Sequence, residues 1–135
     1  TDVFQRTFYD IRVSQFRAAL ERRQFDWIIG RTDSLENYST LPIWFFFKVE
    51  AFRQRNLDGD LISASSILEK SMEASPNYLP FYYSKALLLL SNNQFDEAKT
   101  AFEQFLQLKD NSLSKEQSYA KYYIIQINQQ LNNLD

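Results

Sequence analysis

The chain contains neither cysteine nor histidine, and among its 135 residues it has only two glycines and three prolines. Without cysteine it can form no disulfide or thiolate ligand, and without histidine it lacks the usual general base and commonest metal ligand. It has no Gly-rich phosphate loop and no nucleophile elbow. These absences predict a protein that is not an enzyme and that uses no cofactor or metal.

Asp58-Gly59-Asp60 is the one stretch that resembles part of a metal-binding loop. A calcium loop needs further oxygen ligands at alternate positions, and Ile62 stands at the next of them. The sequence therefore favours a tight corner at Gly59, with Asp60 capping the helix Leu61 to Ser71 that follows.

Composition describes one folded domain over residues 1–135, with 44% hydrophobic residues, 24% charged residues and a net charge of −2. The scarcity of glycine and proline leaves few places for β-turns and favours an all-α fold. No apolar run approaches the ~20 residues that span a bilayer, and the basic residues form no run beyond Arg22-Arg23, so we expect neither membrane insertion nor nucleic-acid binding. The chain begins at Thr1 without a signal-like apolar segment, which favours a processed protein or a domain of a longer one. The compartment is left open.

Residues 79–110 carry the clearest pattern, because apolar residues recur at helical spacing on both sides of the polar corner Ser91-Asn92-Asn93. The first set is Tyr82, Ala86, Leu89 and Leu90, and the second is Phe95, Ala98, Phe102, Phe105 and Leu106. So short a corner predicts two antiparallel helices. Small residues in both helices, Ala86 and Ala98, would allow the backbones to approach closely.

The same pattern recurs along the chain. A shift of 34 residues places Gly59, Ala64 and Leu68 on Asn93, Ala98 and Phe102, and a further shift of 36 leads back to Arg23 and Phe25. With Pro76 closing the second copy, these residues resemble the tetratricopeptide repeat, whose period is about 34 residues. The resemblance implies a right-handed α-α superhelix of about three helix pairs plus a capping helix. Its units would be a degenerate repeat 3–42, a repeat 43–76, the best-matching repeat 79–110, and the capping helix 114–131.

In such a superhelix the first helix of each pair lines a concave groove. The resemblance therefore implies that the groove binds a peptide or a helix of a protein partner. The implied partner-binding residues are Val13, Arg17, Phe46, Val49, Arg53, Tyr83, Leu87, Leu90 and Lys121, with Gln117 and Ile124 beside them. The Lys and Asn set by which some family members grip chaperone tails is not carried over, because Val13, Arg17, Val49 and Tyr83 stand at the matching places.

Arg17 and Arg53 occupy equivalent places in adjacent units, and a guanidinium suits carboxylates. One hypothesis is that they bind an acidic or carboxylate-bearing segment of the partner. The alternative is that they pair with Asp10, Glu21 or Glu50 in their own helices.

Four successive aromatic residues open the second unit, Trp44 to Phe47, and they cannot all face one neighbour. Either the first two units bury them all, or at least one faces the groove or another chain. The second case supports a different class of function, a structural or self-associating domain that forms a homodimer through these rings and a Phe4-Phe8 stripe. A third class is a soluble appendage of a larger enzyme or membrane assembly.

Overall fold

The structure is a computed structural model that describes residues 2–36, 39–108 and 110–133, without the side chains of Asp2, Phe4 and Gln5. Within these residues the chain forms helices and no strand. The helices are α1 (Asp2–Glu21), α2 (Phe25–Leu35), α3 (Pro42–Arg55), α4 (Asp60–Ala74), α5 (Pro80–Ser91), α6 (Phe95–Leu106) and α7 (Ser114–Asn133), with a 3-10 turn at Asn111–Leu113. None of the described helices has the length and apolarity needed to cross a membrane.

The helices pack as consecutive neighbours. α1 packs on α2, α3 on α4 and α5 on α6, while α2–α3, α4–α5 and α6–α7 contacts join each pair to the next. The first helices of the pairs also touch one another, α1 with α3 and α3 with α5, and α5 shares one core cluster with α7. We call these four helices the inner row. This arrangement confirms the predicted all-α stack of helix pairs, in which each pair buries its apolar face against its neighbours.

The third pair has the close contact that its sequence predicts. Ala86 of α5 and Ala98 of α6 have no exposed surface and share one core cluster with Phe102 and Phe105. Tyr123 of α7 stacks on Phe102, with ring centroids 5.3 Å apart. The small residues let α5 and α6 approach closely. The aromatic rings fill the space beside this contact and between it and α7.

Each corner contains a residue with a left-handed backbone at the position that the repeat spacing aligns: Arg23 (φ 60°), Gly59 (φ 84°) and Asn93 (φ 61°). The second corner has another at Asn56 (φ 52°), which ends α3. In the first and third corners the following residue donates its N–H five residues back, Gln24 to the carbonyl oxygen of Ala19 (2.9 Å) and Gln94 to that of Leu89 (3.0 Å). This bond ends α1 and α5 in the same way, as in a Schellman motif.

The predicted cap of α4 is wrong in detail. Asp60 is the first residue of α4, behind the capping residue Gly59, and its carboxylate accepts hydrogen bonds from the Leu57 N–H (2.8 Å) and from the Arg55 guanidinium. The cap is thus shifted by one residue, which changes the side chain that faces the free N–H groups.

The four aromatics of α3 divide into two kinds. Trp44 and Phe47 are buried against Phe16 of α1, with centroid distances of 5.4 and 5.3 Å. Phe45 and Phe46 are half-buried and pack against the core beside α4. Trp44 and Phe47 therefore have almost no surface left for another subunit, and Phe4 of the predicted interface lies outside the described side chains.

Candidate functional site

The inner row carries a polar patch centred on an ion pair within α3. Arg53 donates from Nε to Oε2 of Glu50 (2.9 Å) and from Nη2 to Oε1 (3.0 Å). The two side chains lie one helical turn apart and are 17% and 7% exposed, respectively. A two-point bond of this kind fixes the guanidinium plane, so Arg53 is held in place before any ligand arrives.

Two tyrosines from neighbouring helices surround this pair. Burial alone would lower the pKa of Arg53, but the charge of Glu50 and its hydrogen bond outweigh it, and the pKa is raised. Burial raises the pKa of Tyr83 in α5, and the nearby Tyr123 of α7 and Glu50 raise it further. Tyr83 is therefore neutral at physiological pH. The charged groups of the patch are Arg53 and Glu50, and their opposite charges cancel.

Several of the residues predicted to line the groove lie in the core. Val49, Tyr83 and Leu87 are 0%, 8% and 5% exposed, so they support the inner surface from beneath more than they form it. Phe46 and Leu90 are half-buried. These side chains belong to helices covered on two sides, and a helix in that position buries apolar residues over more than half its circumference.

The two predicted arginines have different surroundings. Arg53 is engaged by Glu50, as in the alternative that pairs it within its own helix. Arg17 is exposed and lies near Tyr78, a residue of the connection before α5. Burial raises the pKa of Tyr78 to about 12. Among the described side chains no carboxylate lies within 4.0 Å of Arg17.

The remaining predicted residues mark the two ends of the row. Val13 is half-buried beside the core of the first pair, and Lys121 of α7 is exposed. Gln117 donates its amide N–H to the carbonyl oxygens of Leu108 (3.1 Å) and Asp110 (3.4 Å). These hydrogen bonds anchor α7 to the preceding connection.

No group of three metal-ligating side chains occurs in the described ranges. Arg17 of α1 and Lys121 of α7 are exposed cations. Tyr123 was missed from the sequence, although the repeat spacing aligns it with Leu89 on the face toward the neighbouring helices.

Comparison of the chain with curated proteins and with solved structures gave no significant match. The family model described as Tetratricopeptide repeat matches residues 79–112, the third helix pair and the connection after it. Together with the stacked helix pairs, this match supports the resemblance read from the sequence: the chain is built as a tetratricopeptide-like helical repeat.

Proposed function

We propose that this chain is a non-catalytic module that binds a peptide or helix of a partner protein along its inner row. Tetratricopeptide repeats generally serve in protein–protein interaction, and the match over residues 79–112 supports that class. An acidic or carboxylate-bearing segment suits the cations of this surface.

The observation that carries the proposal is the contrast between the centre of the inner row and its ends. At the centre, Glu50 already neutralises Arg53, so a carboxylate ligand must compete with it. At the ends, Arg17 and Lys121 are exposed. A ligand that lies across the row would therefore place apolar side chains near Tyr83 and Tyr123 and its carboxylates near the two free cations.

The test should use exposed residues. Replacing Tyr83 and Leu87 by alanine would remove buried volume, and a loss of binding would then be hard to separate from unfolding. We instead expect Arg17→Glu plus Lys121→Glu to leave the fold intact and to weaken a groove ligand at least tenfold. Peptides selected on the immobilised protein from a random library provide the ligand, and fluorescence anisotropy measures the dissociation constant.

The matched control is Lys70→Glu plus Lys85→Glu, which makes the same change in net charge at exposed positions of α4 and α5. Selected peptides should be rich in Asp and Glu, and the control should bind them as the parent protein does. Equal affinity in the parent and in the Arg17/Lys121 variant would remove these residues from the site.

A further inference from the structure

A groove of about 420 Å³ runs between α1 and α2, and residues of these two helices alone line it. Its floor is Phe16, and its walls include Trp27 and Leu35. Trp27 lies against Phe16 with ring centroids 5.3 Å apart, yet 39% of it is exposed. The groove is therefore an open apolar surface on the first helix pair, lined by residues other than those predicted to line the inner row.

The first helix pair exposes Trp27 of α2 together with Ile11 (52%) and Val3 (79%) of α1. Elsewhere in the stack one helix packs against two others at once, as α3 does against α1 and α2. The shape of an occupant is thus given by the architecture: a helix fits a groove between two helices.

The charge around the groove follows from ion pairs on the other side of α2. The carboxylates of Asp33 and Glu36 accept bonds from Lys48 of α3, at 2.5 and 2.6 Å, and Asp26 pairs with Arg55 of α3 at 2.7 Å. Two cations of the second pair thus engage three carboxylates of α2, and Arg55 also bonds a carboxylate of α4. These contacts hold the three carboxylates against α3, whereas residues of α1 and α2 alone line the groove.

Two of those arginines, Arg12 and Arg31, line the groove, and none of its lining residues is acidic. Among the described side chains no carboxylate lies within 4.0 Å of either guanidinium. The Arg31 guanidinium stands over the Trp27 ring, 5.6 Å from its centroid. Stacking of this kind fixes the group while leaving its N–H donors free at the edge for a carboxylate.

We propose that this groove docks an acidic amphipathic helix of a partner protein. Apolar side chains of that helix pack on Trp27 and over Phe16, and its flanking carboxylates meet Arg12 and Arg31. A second copy of this chain is disfavoured as the occupant, because a symmetric contact through the same face would bring the arginines of both copies together.

The test uses the two tryptophans as reporters. Trp27 is 39% exposed and Trp44 only 3%, so a ligand in the groove changes the emission of Trp27. The probe is a synthetic amphipathic helix with leucines on one face and glutamates on the other. Two companions carry lysine in place of glutamate, or serine in place of leucine. We expect only the Leu/Glu peptide to bind the parent protein and shift its emission.

Charge reversal makes the outcome specific. The Arg12→Glu plus Arg31→Glu variant should bind the Leu/Glu peptide at least tenfold more weakly than the parent protein does. The same variant should bind the Leu/Lys peptide more tightly than it binds the Leu/Glu peptide. The Lys70→Glu plus Lys85→Glu variant controls for net charge and should behave like the parent protein. Since a folded variant is required to bind the Leu/Lys peptide, that gain also excludes unfolding as the cause of the loss.

Four results would overturn the proposal. One is absence of an emission change with the Leu/Glu peptide, and another is equal affinity in the parent and the Arg12/Arg31 variant. The third is binding to vesicles of phosphatidylserine and phosphatidylcholine without binding to the peptide, which would assign the face to a membrane surface. A doubled mass in light scattering that disappears with the charge reversal would likewise replace the partner helix by a second copy.

Discussion

The Glu50–Arg53 pair provides a sharp test of how the inner row is held together. Arg53→Met leaves a carboxylate that is only 7% exposed without its partner, and we expect this to cost about 3 kcal/mol of the free energy of unfolding. Glu50→Gln keeps the shape and one acceptor oxygen, so its expected cost is about 1–2 kcal/mol. The double variant removes both charges, and an apolar or amide replacement of a buried pair is often nearly neutral, within about 1 kcal/mol.

The assay is urea unfolding at neutral pH for the four proteins, followed by circular dichroism at a helix wavelength. The cycle should give a coupling of at least about 2 kcal/mol, since the two residues share their hydrogen bonds. An unchanged slope against urea would show that only the native state is affected. Additive costs, or single variants that each lose less than about 0.5 kcal/mol, would refute the view that this pair is a buried, mutually dependent unit.

The other predictions concern the helix ends and the core. The Arg55 hydrogen bond lowers the pKa of Asp60 below its ordinary 3.8. The stability that this carboxylate contributes is therefore present above pH 3.8 and is lost as the pH falls through the lowered pKa. In a pH series of thermal melts, Asp60→Asn should lose less stability on acidification than the parent protein. Gly30 lies inside α2 with open space around its missing Cβ, whereas Gly59 has φ +84°, so in urea unfolding Gly30→Ala should stabilise by about 0.5–1 kcal/mol and Gly59→Ala should destabilise by about 1 kcal/mol; the same sign for both would contradict this explanation. Ala98→Leu should cost about 1–3 kcal/mol by overpacking the contact with α5, and a neutral result would mean that the helices are not in close contact there.

The fold was predictable because its signals repeat. Apolar spacing places Ala86, Ala98 and Phe102 on facing sides of two helices, and the same spacing recurs in the other pairs. Each copy supports the others, so an error of a residue or two at one helix end does not change the architecture. The left-handed residues Arg23 and Asn93 follow the same register.

The candidate site was less predictable because exposure depends on the whole stack. Tyr83 and Leu87 lie on the predicted face of α5, but their neighbours in α6 and α7 cover them. The caps depend on a single residue of register, which periodicity does not resolve. The Arg55–Asp26 pair joins residues far apart in sequence, and no local pattern announces the contacts that hold the acidic residues of α2 against α3.

The turns of the first and third helix pairs have the same backbone geometry, so one turn can be exchanged for the other. The turn at Arg23 and the turn at Asn93 use the same backbone bond pattern, so the tripeptide of one can be grafted into the other without re-aiming its helices. A left-handed backbone costs more conformational free energy at arginine than at asparagine. The first turn is therefore the one to replace first when longer arrays are built from this chain.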